Sequence, residues 1–501
     1  MATPTPLSTS IHDIKLLVQS YHPLIVIETV EEERARALLL ATAQELRMPL
    51  FEWSVTHGLL REGEPPSAQR MTADPAAALP HIRSLTVEAI FLLKDFSAYL
   101  KEPAVARHLR ELAQRFDKTR STLVLTGRQV DLPKDVEHLA VHHHLRLPDE
   151  SELDAAVTEV LRSVQRSLRR TIQIAPEERK KLFAVLRGLT VKQARQAVAR
   201  VLIDDGVLTA EDLRGLLTHK ADAIRASGLL EYYPAEDNRF ELGGFARLKA
   251  WLERARHGFS EAARSFNLSA PRGVLLVGVP GCGKSLAAKV IAREWGLPLL
   301  KLDAARLYDK FIGESEKNFL RATALAESMA PAVLWIDEIE KGLVASGTGD
   351  ADAGLGRRLF GAFLTWLQEK KQDVFLVATA NDLSMLPPEL LRKGRFDEIF
   401  FVDLPEPDER RQIWDIHLRR HNQDAKSFDL DALVAASDGF SGAEIEQAVV
   451  AGLYRALHVS EALSSGALLE ELRQTRPLSV TRREDIARLR ATARDRFVGV
   501  R

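Results

Sequence analysis

The chain is 501 residues long, room for two to four domains at roughly 100–200 residues each. Hydrophobic residues make up 46% and charged residues 28%, and 69 Lys and Arg against 70 Asp and Glu leave a formal net charge of −1. That is the balance of a soluble globular protein without the global basic bias of one that coats nucleic-acid phosphates. The single cysteine, Cys282, excludes a disulfide scaffold and a cysteine-rich zinc module, and an unpaired thiol fits a reducing compartment. No run reaches the ~18 apolar residues that cross a bilayer, and Met1–Ser10 lacks the basic-then-apolar order of a secretion signal. The expected setting is the cytoplasm, without a membrane partner.

In chain order, Leu24–Ile27 reads as a strand, Glu31–Leu46 as a helix, and Pro49–Trp53, Ile90–Leu93 and Thr122–Leu125 as further strands. Ser151–Ala226 is almost wholly helical in pattern, and Ser227–Asn238, with Gly228 and Pro234, predicts a linker. Beyond it, strands at Val274–Val277, Leu299–Leu302, Val333–Ile336, Val374–Ala378 and Ile399–Val402 alternate with helices such as Ser285–Glu294, Ser315–Glu327 and Leu355–Glu369. Such alternation predicts an α/β fold with a mostly parallel sheet. From Pro407 the strand signal stops and helices dominate to about Leu472.

The two halves share landmarks in the same order. Leu24–Ile27 with Met48-Pro49-Leu50 parallels Val274–Val277 with Leu297-Pro298-Leu299, and Ile90–Leu93 with Asp95 parallels Ala332–Trp335 with Asp337. Leu123–Thr126 matches Leu376–Thr379, and Leu147-Pro148-Asp149 matches Leu404-Pro405-Glu406. A duplicated unit follows. The expected division is an α/β domain over 1–150, its helical lid over 151–226, a linker over 227–238, a second α/β domain over 239–405, a helical lid over 406–475 and a helical tail over 476–501.

Gly278-Val279-Pro280-Gly281-Cys282-Gly283-Lys284-Ser285 fits the phosphate-loop (Walker A) pattern G-x4-G-K-[ST], after a predicted strand and at the start of a helix. The glycines let backbone N–H groups wrap phosphates, and the helix N-terminus adds partial positive charge there, reaching Leu286. Lys284 is the expected partner of the β- and γ-phosphates, and the Ser285 hydroxyl a ligand of Mg²⁺. Val333–Glu338 is an apolar strand ending in two carboxylates (Walker B), about fifty residues further on. Asp337 is placed to hold Mg²⁺ and Glu338 to polarise an attacking water, whereas Trp335 reads as core packing. His142-His143-His144 reads as structural or solvated, since adjacent strand residues alternate faces and no cysteine lies near.

These motifs resemble the AAA ATPases, the group containing the proteasomal ATPases and FtsH-type unfoldases, over roughly Arg239 to Ala451. The resemblance implies ATP as cofactor with Mg²⁺, a first sensor at Asn381, and an arginine-finger segment, Leu390–Asp397, in which Arg392 and Arg395 reach a neighbouring subunit's nucleotide. It also implies that Gly442 and Ala443, within the N-cap box Ser441–Glu444, pack on the nucleotide, and that Leu242-Gly243-Gly244 lines the adenine pocket. Lys310–Glu316 is similar to the first central-pore loop, with Phe311 and Ile312 gripping a polypeptide; outside this register Phe311 would read as core. Gly347–Gly356 stands at the second pore loop. Glu340 and Asp382 depart from the family's usual residues without removing a catalytic group, and the His-Glu-x-x-His protease signature is absent, so no protease site is expected. A degenerate first ATPase-like domain before an active one resembles an AAA family of cyanobacteria, plastids and other bacteria.

In that first domain Glu28-Thr29-Val30-Glu31-Glu32-Glu33 stands where the glycine loop would be, Phe96 follows Asp95 where Glu338 follows Asp337, and Arg128 replaces the sensor. Three carboxylates at a helix start repel polyphosphate, so one ATP per chain is expected. The expected function is ATP hydrolysis by a homo-oligomer, hexameric by the resemblance, that remodels a protein substrate through a central pore. A nucleotide-dependent switch or scaffold without threading, and an ATP-driven nucleic-acid translocase, are the alternatives, with nucleic acid the weaker partner.

Overall fold

A computed structural model of the chain describes residues 6–64, 70–168, 174, 176–204, 209–226, 228–234, 241–303, 314–343, 350–370, 372–392, 394–494 and 496–501. They divide into two units, Met1–Leu216 and Leu217–Arg501. The strands of the first are β1 (Leu24–Glu28), β2 (Leu50–Ser54), β3 (Gly58–Arg61), β4 (Ile90–Lys94), β5 (Thr122–Gly127) and β6 (Ala140–His142). Those of the second are β7 (Leu230–Tyr233), β8 (Gly273–Gly278), β9 (Leu299–Leu302), β10 (Ala332–Ile336), β11 (Val374–Ala380), β12 (Glu398–Val402) and β13 (Val498–Gly499).

The central strands are continuous apolar runs because both sheet faces are covered. With a side-chain period of two, Leu24 and Val26 of β1 enter one core with Phe91, Leu109 and Leu123, while Ile25 and Ile27 enter the other with Ile14, Leu38 and Val124. The second unit repeats this: Val274 and Leu276 pack with Phe375 and Phe400, and Leu275 and Val277 with Leu334, Phe363 and Leu376.

The sheet orders are β3-β2-β4-β5-β1-β6 and β13-β12-β8-β11-β10-β9-β7. Taking the five parallel-core strands of each unit in chain order (β1, β2, β4, β5, β6 and β8 to β12), both sheets run fifth, first, fourth, third, second. Each also carries an antiparallel strand on its second strand: β3 on β2 and β7 on β9. The shared order is the structural form of the repeated landmarks. It places the ends of β8, β10 and β11 together beside the point where chain direction across the sheet reverses, where open α/β sheets bind ligands.

Three features differ from expectation. The predicted linker holds β7, whose Leu230 and Tyr232 are buried while Glu231 and Tyr233 are not, an edge-strand alternation hidden in a short segment. The boundary between units falls within the helix Ala210–Ala226, because Leu217, Ala221 and Ile224 join the second unit's core. The tail is not helical throughout: after helices Leu478–Thr481 and Arg483–Ala493 it ends in β13, parallel to β12. Between β12 and the tail, helices Pro407–Arg420, Leu430–Ala436, Gly442–Val459 and Ser465–Gln474 form a lid around Trp414, Leu418, Leu433, Ile445 and Leu468.

Candidate active site

β8 runs out at Gly278, where φ is 149° and an added methyl would lie 1.9 Å from the Val402 carbonyl oxygen, so only glycine fits against β12. Gly281 and Gly283, with φ of 75° and 92°, supply the left-handed turns that lead into the helix Lys284–Trp295. That helix has no side-chain N-cap, leaving its first amides for a ligand. Lys284 folds back into the loop, its Nζ donating to Gly278 O at 2.9 Å and Val279 O at 2.8 Å. Burial pushes its ammonium down to about 8, against the opposing pull of the carboxylates of Glu340, Asp337 and Glu338.

Asp337, just past β10, accepts from Ser285 Oγ at 2.9 Å and from Thr379 Oγ1. The same Thr379 oxygen accepts the Glu338 N–H at 3.0 Å, holding Glu338 at a φ of 48°. The Glu338 carboxylate accepts from Asn381 Nδ2 at 2.8 Å and from Lys341 Nζ at 2.7 Å. Asn381 is fixed in turn by its backbone N–H donating to Glu340 Oε1 at 2.9 Å. Glu340 is buried, which raises its pKa, and among the described residues its Oε2 has no hydrogen-bond partner.

The lid closes over this set. The Ala443 N–H donates to Gly281 O at 3.0 Å, and Ser441 and Glu444 make the expected capping box. Gly243 lies so close to the first lid helix that an added methyl would be 3.1 Å from Ile413 Cγ1, and the Gly244 N–H donates to Gln412 Oε1 at 2.8 Å. The resulting cleft of about 1090 Å³ is lined by Gly243, Pro280–Leu286, Asp337, Glu338, Asn381, Gly442 and Ala443. Its chemistry fits a magnesium nucleotide. A side chain would clash at Gly278 and be strained at Gly281 and Gly283, a buried ammonium donates to main-chain carbonyls, and a hydroxyl bonded to a carboxylate offers the hard oxygens Mg²⁺ takes.

Thus the motif residues from three strand ends and the lid converge. Arg392 is exposed and Arg395 donates to Leu364 O at 2.8 Å; neither is among the described residues lining the cleft. Phe311 and Ile312 lie outside the described residues; of Gly347–Gly356, residues 350–356 begin the helix Asp350–Glu369. Sequence reasoning missed Thr379, Ile413, His417 and Val500 of the cleft wall. Ile413 and His417, one helical turn apart just after Leu404-Pro405, were the readable signal.

In the first unit the equivalent position is filled by the chain itself. At the start of the helix Glu32–Leu46, Arg34 pairs with Glu31 at 3.2 Å and Glu152 at 3.0 Å, and Glu31 Oε1 accepts the Val191 N–H at 2.8 Å. Lys94, at the end of β4, pairs with Glu32 at 2.9 Å and Glu52 at 3.3 Å. Nearby, His142 and His144 are exposed and His143 half-buried, its pKa lowered by burial. Among the described residues no three or more His, Cys, Asp and Glu side chains cluster as a metal site, and no helix is long and apolar enough to cross a membrane.

Three family profiles match: the N-terminal domain of SpoVK-like AAA ATPases over residues 10–145, their second domain over 151–227, and the ATPase family associated with various cellular activities (AAA) over 274–404. The chain is 36% identical over 484 residues to the uncharacterized AAA domain-containing protein ycf46 of Guillardia theta, covering 96% of this chain and 94% of that one. It is 30% identical over 319 residues to a cell division cycle protein 48 homolog of Archaeoglobus fulgidus, covering 60% of this chain and 43% of that one. With the proteasome-activating nucleotidase of Aeropyrum pernix it shares 36% identity over 199 residues, 39% of this chain and 48% of that one. With sheet order, phosphate loop and carboxylate pair in agreement, the chain belongs to the AAA ATPases, as a SpoVK-like member whose ATPase domain follows an N-terminal domain.

Proposed function

We propose that the second unit hydrolyses ATP, that chains assemble into a ring completing each site with Arg392 and Arg395 of a neighbour, and that the ring remodels a protein substrate. One observation carries the catalytic part: Ser285, Asp337, Thr379, Glu338 and Asn381 form one continuous hydrogen-bonded set beside the buried Lys284. Lys284 and the loop amides bind the phosphates; Ser285 and Asp337 hold Mg²⁺. That ion, when bound, neutralises charge on the phosphate oxygens. Glu338 orients the attacking water and takes its proton, and Asn381 holds the Glu338 carboxylate in place.

The ring is supported by the position of the two arginines, neither of which is among the described residues lining the cleft of its own chain. Phe311 and Ile312 are the proposed gripping residues. The first unit, its helix start already bonded to Arg34 and Val191, is proposed to bind no nucleotide. The test is Glu338→Gln, which retains bound ATP and hence bound substrate; mass spectrometry of the purified assembly then names the substrate. Mixing Lys284→Ala with Arg395→Ala chains should restore part of the turnover, and no recovery would count against fingers acting between chains.

A further inference from the structure

The tail contacts the lid at two places and lines the cleft through Val500. At its start, the Leu478 N–H donates to Glu444 Oε1 at 2.7 Å, binding the carboxylate of the Ser441–Glu444 capping box. At its end, Arg501 spans the other box, the one that starts the first lid helix. Its Nε lies 3.2 Å from Glu409 Oε2, while its two terminal nitrogens bond Glu406 and the Leu404 carbonyl of the sheet-to-lid hinge. Between these ends Arg490 grips Asp403 through three contacts of 2.9 to 3.0 Å.

The same segment builds the cleft wall. β13 adds to β12, and the Val500 N–H donates to Phe401 O at 3.2 Å. Val500 is 3% exposed, packs with Phe245, Leu248 and Val402, and lines the cleft. The helix Ala246–Arg256, which follows Leu242-Gly243-Gly244, has Phe245 at its N-cap and no side-chain cap. In place of one, the Val500 carbonyl accepts from Arg247 N–H at 2.9 Å and Leu248 N–H at 3.4 Å. Those are the donors that a capping Ser or Asp would satisfy.

We propose that Val498–Arg501 is a strap that completes the nucleotide cleft, and that Arg501 is a positioning residue setting the first lid helix against the Leu242–Phe245 wall. This rests on the reading of the cleft as the nucleotide site. Arg501 touches no group assigned to the phosphates or the water; it acts through Glu406, Glu409 and the hinge. Its side chain is 32% exposed against 16% for Glu409, so the pair is only partly screened by solvent.

The test is calorimetric titration of the full chain with ADP, together with melting temperature and amide exchange. Arg501→Ala should weaken ADP binding about tenfold, the effect of losing charge-assisted bonds that hold a binding wall. Exchange at the Arg247 and Leu248 amides should speed up, and Arg501→Lys should recover part of the affinity by keeping the charge without the fork. Affinity within about twofold of the unaltered chain would overturn the strap. So would a lowered melting temperature with ADP affinity intact, which marks a prop and no more. Lys284→Ala separates the two readings: if it abolishes ADP binding while Arg501→Ala leaves the affinity within about twofold of the unaltered chain, only the strap falls. If the unaltered chain binds no ADP, both fall.

Discussion

Lys284 gives the cleft a pH signature. The residue is 6% exposed, its ammonium donates to the Gly278 and Val279 carbonyls, and burial brings its pKa to about 8. Phosphates bound beside it restore the charged form, so binding must take up a proton wherever the free protein has lost one. Below about pH 7 the ammonium is already charged and affinity is flat. From pH 8 to 9.5 the charged fraction falls from about one half to a few per cent, so ADP affinity should drop roughly tenfold or more. Nucleotide phosphates have shed their last proton by about pH 7.5 and do not contribute. Cys282, which burial pushes up to about 12, stays protonated in this window, and His417, lowered by burial, stays neutral. The free fold moves the opposite way: a lysine below its unfolded value of 10.5 binds fewer protons folded than unfolded, so stability rises between pH 8 and 10.5. The assay is ADP titration from pH 7 to 9.5, repeated with Lys284→Arg, whose guanidinium holds its charge and flattens the profile. A flat profile in the unaltered chain, or the same slope in Lys284→Arg, would refute the assignment.

Thr379→Val keeps shape but removes the hydroxyl joining Asp337 to the Glu338 N–H, leaving a part-buried donor unpaired at a cost of about 1 kcal/mol. Steady-state hydrolysis should fall about tenfold to a hundredfold, with Thr379→Ser restoring most of it; equal rates in all three would show that the bridge does not position Glu338. Cys282 should resist alkylation at pH 8 about a thousandfold relative to an unperturbed thiol, because so little is thiolate. Rapid labelling of the native chain by iodoacetamide would contradict its buried place in the loop.

The convergence of the candidate site was legible because its parts are local in sequence: a glycine loop after an apolar strand, a carboxylate pair at another strand's end, and the Ser441–Glu444 box. The repeated order of landmarks likewise foreshadowed two sheets of one strand order. What stayed hidden depends on contacts across the chain. Thr379 looks like any β-branched residue in a buried strand until Asp337 and Glu338 lie beside it. β7 is four residues alternating at an edge, and β13 is two residues whose strand character comes from pairing with β12. No pattern within 498–501 announces that a main-chain carbonyl will cap a helix beginning at Ala246.

The proposed single ATP-hydrolysing site per chain, in the second unit with Glu338 activating water, can be tested in one preparation. The most direct measurement pairs calorimetric titration of full-length Glu338→Gln by Mg-ATP with phosphate release from the same preparation. Saturation is expected near one nucleotide per chain, with release slowed on the order of 10²–10⁴-fold against the unaltered chain, the range a general base contributes. Saturation at two nucleotides with the second site surviving Lys284→Ala, or release at the unaltered rate, would contradict it.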